Sequence, residues 1–149
     1  MTSLADRFWT KVDVVDGDCW LWTASVDNRG YGKIGAGGDR GRTLCAHRVA
    51  WELTRGTIPD GMEIDHRCHI RRCVRPDHLR LVTRKQNNEN LNLKVRGVRR
   101  HRGKWQARVK HNRKEFYAGT FDTPDEAAEA ARQLRNRLFT HNDADRLAG

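Results

Sequence analysis

Residues 64–78 have the sequence Ile-Asp-His-Arg-Cys-His-Ile-Arg-Arg-Cys-Val-Arg-Pro-Asp-His, which combines two cysteines with three histidines. Four residues separate Cys68 from Cys73, and four more separate Cys73 from His78. Thiolate and imidazole are the usual ligands of a tetrahedral structural zinc, and this spacing allows three of them to converge from one loop. The loop has almost no apolar side chains, so a bound metal rather than a hydrophobic core is expected to hold it in place.

The fourth zinc ligand must come from another part of the chain. Cys19 and Cys45 are the main candidates, and His69 is a third. The N-terminus does not resemble a secretory signal, so four cysteines are not expected to form a disulfide framework. A cysteine that binds no metal is then expected to be a small buried apolar residue. The spacing alone leaves the choice between Cys19 and Cys45 open.

A hard-metal site is predicted at the start of the same stretch. Asp65 and His66 end a short strand, and Asn87 lies in a helix that Thr83 and Gln86 begin with a capping box. Carboxylate and amide oxygens, completed by water, are the ligands that Mg²⁺ prefers. An Asp-His pair and a helical asparagine are also common without a metal, so purely structural roles fit the spacing equally well.

Short helices and strands are predicted in the first half of the chain. Ser3 begins an amphipathic helix. Residues 19–22 form a strand that pairs in a hairpin with a second strand at residues 31–34. After a flexible glycine loop, a helix spans residues 46–55, and Gly56 ends it.

The chain is predicted to divide into two α+β domains, residues 1–93 and residues 94–149. Residues after about position 140 are polar and are expected to be frayed. The predicted elements of the second domain are, in order, strands at residues 95–101, 104–111 and 114–120 and a helix from an N-cap at Thr123 to about Phe139.

The charge of the chain indicates a polyanionic partner. Its 149 residues include 29 lysines and arginines against 19 acidic residues, a net charge of +10. Residues 94–114 contain ten basic side chains and no acidic one. Nucleic acid is the simplest partner for such a surface. No apolar run approaches the ~18 residues of a membrane span, so we expect no membrane partner and a cytoplasmic location.

Three motifs lie between residues 19 and 93: Cys19-Trp20-Leu21-Trp22, Ala46-His47-Arg48, and Ile64-Asp65-His66-x-Cys68-x4-Cys73-Val74-x-Pro76-x-His78-Leu79-x2-Val82-Thr83-x3-Asn87. By these motifs, residues 19–93 resemble the HNH endonucleases that are often found in bacteriophage genomes. They also resemble the His-Cys-box homing endonucleases, which share the ββα-metal site.

The resemblance implies roles for the residues of both metal sites. Asp65 and Asn87 would hold one catalytic Mg²⁺, and His66 would be the general base. Arg48 is equally consistent with a clamp on the scissile phosphate and with a solvated helix residue, and the role of His47 is also open. By position, Cys19 matches the upstream zinc ligand better than Cys45 does, so the implied zinc ligands are Cys19, Cys68, Cys73 and His78.

The second half of the chain contains the motifs Arg96-Gly97-Val98-Arg99, Gly103-Lys104-Trp105-x-Ala107 and Tyr117-x-Gly119-Thr120-Phe121-Asp122-Thr123-x2-Glu126-Ala127-Ala128. By these motifs, residues 95–140 resemble the plant APETALA2/ethylene-response-factor DNA-binding domain. In that family a helix packs behind a three-stranded antiparallel sheet, and the sheet lies in the major groove. The resemblance implies that the side chains facing DNA are Arg96, Arg99, Arg108, Lys110 and Tyr117.

These observations predict a site-selective DNA endonuclease, of homing or nicking type, with a zinc-stapled HNH module and a DNA-binding sheet. One Mg²⁺ and a histidine base would hydrolyse phosphodiester bonds in double-stranded DNA. A restriction-type or repair nuclease has the same chemistry. A DNA-binding regulator with a catalytically silent HNH fold is a further alternative, but Asp65, His66 and Asn87 are all present. The target sequence and the choice between a monomer and a homodimer stay open.

Overall fold

The computed structural model describes residues 2–38, 41–90 and 96–146. The chain forms two compact units, Met1–Arg84 and Lys85–Gly149. Both units combine helices with antiparallel strands, so the predicted α+β class is confirmed. The predicted junction between residues 93 and 94 lies outside the described residues. Within the described part of the chain, no helix is long and apolar enough to cross a membrane.

The first unit is built from short elements joined by long loops. Its core contains Phe8 and Trp22, both fully buried, whose rings lie 5.3 Å apart. The first helix begins after Ser3, as predicted, and a capping box between Ser3 and Asp6 closes its N-terminus. The elements are, in order, α1 (Leu4–Trp9), β1 (Val12–Asp13), β2 (Leu21–Trp22), β3 (Lys33–Gly35), β4 (Thr43–Cys45), α2 (Ala46–Arg55), β5 (Met62–His66), a 3₁₀ turn (Pro76–His78) and β6 (Leu79–Thr83).

The predicted pairing of residues 19–22 with residues 31–34 is wrong. Strand β2 pairs with β1, and β3 pairs with β4 across the glycine loop. Trp22 donates its indole N–H to the carbonyl of Ser25, which turns the chain away directly after β2. Only an isolated bridge joins Val26 to Gly32 in this region of the described structure.

The Asp-His pair lies on a two-stranded antiparallel sheet. Strand β5 ends at His66, as predicted, and pairs with β6, which the sequence analysis did not anticipate. Leu79 and Val82 of β6 are buried in the core of the first unit or beside it. The segment between His66 and Leu79, here called the Cys/His loop, joins β5 to β6. The pairing of these two strands therefore holds both ends of the loop together.

The second unit is a three-stranded antiparallel sheet backed by a helix. Thr123 and Glu126 form the predicted capping box of the long helix, and Ala127 and Ala131 of that helix are fully buried against the sheet. Its elements are α3 (Arg84–Glu89), which begins at the end of the first unit, then β7 (Val98–His101), β8 (Lys104–His111), β9 (Lys114–Phe121), α4 (Pro124–Leu138) and α5 (Asp143–Arg146).

The prediction that the chain frays after position 140 is wrong for residues 143–146, which form α5. The Asp145 carboxylate accepts hydrogen bonds from Nε and Nη2 of Arg135, at 2.5 and 2.9 Å. Arg135 is buried, so this charge pair is shielded from solvent and ties the short helix to α4.

Candidate metal cluster and active site

Four potential metal ligands come together in the first unit. The side-chain donor atoms of Cys19, Cys68, Cys73 and His78 all lie within 4.8 Å of one another. Nδ1 of His78 is 3.4 Å from Sγ of Cys19 and 3.6 Å from Sγ of Cys73. With Zn–S and Zn–N bonds of about 2.3 and 2.1 Å, a tetrahedral zinc separates sulfur from nitrogen by about 3.6 Å. The donor set and its spacing therefore fit a structural zinc.

Backbone pairing brings the distant Cys19 to this cluster. The amide of Val74 donates to the carbonyl of Trp20 at 2.8 Å, and the amide of Trp22 donates to the carbonyl of Arg72 at 2.9 Å. These bonds run the second half of the Cys/His loop antiparallel to β2. Because Cys19 directly precedes this pairing, its thiol lies beside that of Cys73.

The thiols of the cluster influence one another's ionisation. Hydrogen bonding from Cys73 lowers the pKa of the Cys68 thiol to about 5. Hydrogen bonding to Cys68, together with burial, raises the pKa of Cys73, and burial raises that of Cys19. One thiolate thus forms at the expense of its neighbours, and a divalent cation would supply the charge that lets all three ionise.

Cys45 lies apart from the cluster. Its Sγ accepts a hydrogen bond from Nζ of Lys33 at 3.2 Å, and Lys33 also forms an ion pair with Asp27 at 3.3 Å. Of the two cysteines that the sequence left open, the structure therefore brings only Cys19 to the other three ligands.

A backbone hydrogen bond fixes the orientation of the His66 imidazole. His66 is buried, and its Nε2 is 2.9 Å from the carbonyl oxygen of Cys73. A carbonyl can only accept, so Nε2 carries the proton and Nδ1 is left as the basic nitrogen. Burial lowers the pKa of His66, whereas the hydrogen bond to Cys73 raises it. The effect of burial is the larger one, so the pKa is lowered and the ring is neutral and able to accept a proton at neutral pH.

Asp65 is oriented by a residue that the sequence analysis missed. Arg80 stands directly opposite Asp65 in the β5–β6 pair. Its Nη2 and Nε donate to the same carboxylate oxygen, Oδ2, at 2.8 and 3.0 Å. Both side chains are largely buried. Only the unpredicted strand β6 could have revealed this cross-strand partner.

Asn87 lies in α3, which belongs to the second unit, so its pairing with Asp65 stays a prediction. Within that unit, α3 is fastened through Glu89. The buried Glu89 carboxylate accepts from the amide and hydroxyl of Thr140, at 3.1 and 3.2 Å. The guanidinium of Arg96 donates to the carbonyls of Asn88 and Glu89, at 3.0 and 2.9 Å. Asn87 therefore sits on a helix that is held on two sides.

Four of the five residues predicted to face DNA lie on the strands of the three-stranded sheet. Val98, Ala107 and Val109 point toward α4, so the alternate positions of β7 and β8 point to the other side. Arg99, Lys110 and Tyr117 are exposed, whereas Arg108 is partly covered, with its guanidinium 2.8 Å from Glu115 and 5.8 Å from the Tyr117 ring.

Arg96, the fifth predicted residue, precedes β7 and is half-buried. Besides its two carbonyl partners it lies over the ring of Phe139, at 5.1 Å. Burial lowers the pKa of Arg96. Its role toward DNA remains a prediction, and its contacts indicate that it also stabilises the second unit.

The chain is similar to known protein families in two successive segments. Residues 45–89, the segment that contains β5, β6 and α3, match the HNH endonuclease family. Residues 93–141, the segment that contains the three-stranded sheet and α4, match the AP2 domain. No solved structure matches the chain.

Several relatives are phage proteins. Protein 7.7 of Escherichia phage T7 is 37% identical over 79 residues, which are 53% of this chain and 58% of that protein. Protein 2.8 of the same phage is 28% identical over 100 residues, 67% of this chain and 66% of that protein. The chain thus spans between half and two thirds of these two relatives. The matches therefore show a chain that is similar to HNH endonucleases over residues 45–89 and to the AP2 domain over residues 93–141.

Proposed function

We propose that the protein is a DNA endonuclease that hydrolyses phosphodiester bonds with one Mg²⁺ and with His66 as the general base. The observation that carries this proposal is the hydrogen bond between Nε2 of His66 and the Cys73 carbonyl. That bond selects the tautomer in which Nδ1 can accept a proton from a water molecule. The HNH match of residues 45–89 supports the same role.

The proposed reaction begins with proton removal by His66. Because burial keeps its imidazole neutral, His66 needs no further activation to take a proton from the attacking water. The Cys73 carbonyl stabilises the imidazolium that forms, because it already accepts the Nε2 proton. His66 therefore acts with its second nitrogen held in place throughout the step.

Asp65 and Asn87 are the proposed protein ligands of the magnesium ion. A carboxylate and an amide oxygen are the hard donors that Mg²⁺ accepts, and phosphate oxygens and water would complete its octahedron. When bound, the ion would supply charge neutralisation at the scissile phosphate and at the leaving oxygen. Arg80 positions Asp65 for this role by pairing with one oxygen of its carboxylate.

The exposed face of the three-stranded sheet is the proposed surface for double-stranded DNA. Arg99 and Lys110 supply positive charge there, and Tyr117 supplies an exposed aromatic ring. Glu115 neutralises part of this charge through its ion pair with Arg108. The AP2 match of residues 93–141 supports this use of the face.

One active site acts on one strand at a time, so we propose a nicking or homing-type endonuclease. A double-strand cut would need a homodimer or two successive events. The phage relatives support action on DNA in the cytoplasm of an infected bacterial cell.

The proposal is tested by incubating supercoiled plasmids and phage genomic DNA with the purified full chain and Mg²⁺. Wild type should convert the DNA to nicked or linear forms, and His66→Ala should not. His141→Ala is a matched control, since His141 lies outside the three-stranded sheet and its imidazole contacts the hydroxyl of Thr140. Intact substrate with wild type on all DNAs, in protein that binds them, would favour the silent regulator instead.

A further inference from the structure

The second histidine of the first unit has a buried nitrogen that the proposed mechanism does not use. His47 is the second residue of α2 and is only 9% exposed. Its Nδ1 is shielded from solvent and has no hydrogen-bond partner among the described residues. Buried polar atoms without a partner are rare in folded proteins, and each such atom needs a physical account.

His47 belongs to a cluster of three rings around the proposed base. The centroid of its ring is 4.9 Å from that of His66 and 5.4 Å from that of Tyr31. The Tyr31 and His66 rings are 5.9 Å apart. His47 is therefore an immediate neighbour of the group that is proposed to activate water.

The shielding of Nδ1 assigns the proton of His47 to its other nitrogen. A buried N–H without an acceptor is rarer than an under-used acceptor, so the neutral ring is expected to protonate Nε2. Since Nδ1 is closed to ligands, Nε2 is the only nitrogen through which His47 can bind one. His47 thus offers a donor on a ring whose centroid is 4.9 Å from that of His66.

The surroundings of His47 keep it neutral and favour an anion. Burial first, and then the neighbouring groups His66, Arg48 and Lys33, lower the pKa of His47 to about 3, and the carboxylate of Asp27 opposes this only in part. At neutral pH the ring therefore donates a hydrogen bond but does not compete with His66 as a base. The charges of Arg48 and Lys33 that disfavour a proton on His47 also attract a phosphate toward it.

We propose that His47 is a substrate-binding residue of the nuclease site, donating a hydrogen bond from Nε2 to a non-bridging oxygen of the scissile phosphodiester. This inference rests on the proposed function. His47 holds the phosphate while His66 removes the proton from water. The two rings divide the work because one presents a donor and the other an acceptor.

The test compares two substitutions at position 47 in the full chain. His47→Phe keeps the aromatic contacts and removes the donor, whereas the side-chain amide of His47→Gln places an N–H near the position of Nε2. We expect His47→Phe to lower the nicking rate constant roughly 10²-fold with little change in DNA affinity, as for loss of a preorganised donor. His47→Gln should recover most of that loss.

The outcomes separate this inference from the proposed function. Loss of cutting in His66→Ala but a wild-type rate in His47→Phe would overturn the inference and leave the nuclease intact. Zinc content and thermal unfolding check that each variant folds. A second measurement is made on wild type and does not depend on cutting rates. Long-range ¹H–¹⁵N spectra should show His47 neutral and protonated at Nε2 at pH 7. Protonation at Nδ1 would also overturn the inference.

Discussion

The carbonyl oxygen of Cys73 accepts a hydrogen bond from Nε2 of His66 at 2.9 Å, while Sγ of the same Cys73 belongs to the Cys/His cluster. One residue thus joins the candidate zinc site to the proposed base. Any movement of the Cys73 backbone would change both the orientation and the tautomer of His66. Metal binding and proton transfer should therefore depend on each other, although the two sites use different chemistry.

We expect about one zinc per chain, and its removal by a strong chelator should abolish DNA cutting even when Mg²⁺ is restored. The loop holding Cys68 and Cys73 is rich in arginine and has few apolar side chains, so a bound metal would contribute to its folding energy. Cys73→Ser should lose zinc and melt at a lower temperature. Cys45→Ser is the matched control, because Cys45 contacts Lys33 and not the cluster. Zinc loss in both variants would contradict this assignment.

The metal-ligand pattern could be predicted from the sequence because the spacing of Cys68, Cys73 and His78 is local. The choice of Cys19 could not be derived from spacing alone. It depends on backbone hydrogen bonds between the chain around β2 and the loop, which join residues 50 or more positions apart, such as Trp22 and Arg72. The resemblance to a known family supplied what local spacing lacked.

Two features of the strands that local sequence patterns do not predict depend on distant partners. Strand β6 has only five residues and follows an arginine-rich loop, and its strand conformation comes from pairing with β5. Strand β9 contains an irregularity opposite Ala107 and Arg108, where Ala107 pairs with Gly119 and Arg108 with Tyr117. Ala118 is thus an extra residue in β9, and it lets both Tyr117 and Thr120 point outward, which a strict two-residue period does not predict.

Acidic pH should destabilise the protein through His47. Its pKa is about 3 in the folded chain and near 6.5 when unfolded, so the unfolded chain binds more protons between these values. The stabilisation is complete above pH 6.5 and is lost as the pH falls toward 3. At pH 5 the loss should be about 2 kcal/mol of the free energy of unfolding.

Denaturant unfolding at pH 7.5 and pH 5 measures this loss. The drop in wild type should exceed that in His47→Phe by about 2 kcal/mol, since phenylalanine does not titrate. Zinc content is monitored at both pH values, because protonation of ligands also releases metal. Equal drops in the two proteins would show that His47 is not kept neutral by burial.

Removing positive charge from the exposed sheet face should weaken DNA binding in a salt-dependent way. Arg99→Ala and Lys110→Ala should each reduce the slope of log affinity against log salt by about 1, and the double variant by about 2. Arg137→Ala is the control, because Arg137 is exposed on α4, which packs behind the sheet. The measurement is a titration of labelled duplex DNA at several salt concentrations. An equal loss of slope in the control would place the DNA elsewhere.

Gly97 should be essential to the second unit, whereas Gly103 should not. Both have a positive φ, +81° and +80°, so alanine at either position strains the backbone. A Cβ at Gly97 would also lie 2.4 Å from the carbonyl oxygen of Arg108, but a Cβ at Gly103 would have no atom within 4 Å. The Gly97 carbonyl further accepts a hydrogen bond from the Arg108 amide at 2.8 Å, which holds the two backbones too close to yield.

Gly103→Ala should therefore lower the free energy of unfolding by about 1–2 kcal/mol, the cost of a left-handed alanine. Gly97→Ala should cost roughly 1–3 kcal/mol more, because the backbones must separate. Since Arg108 lies beside this contact, Gly97→Ala should also weaken DNA binding at temperatures where the protein is still folded. Thermal unfolding and duplex titration of the two variants test both expectations. Equal stability of the two would mean that the chain near Gly97 can move away from β8 without cost.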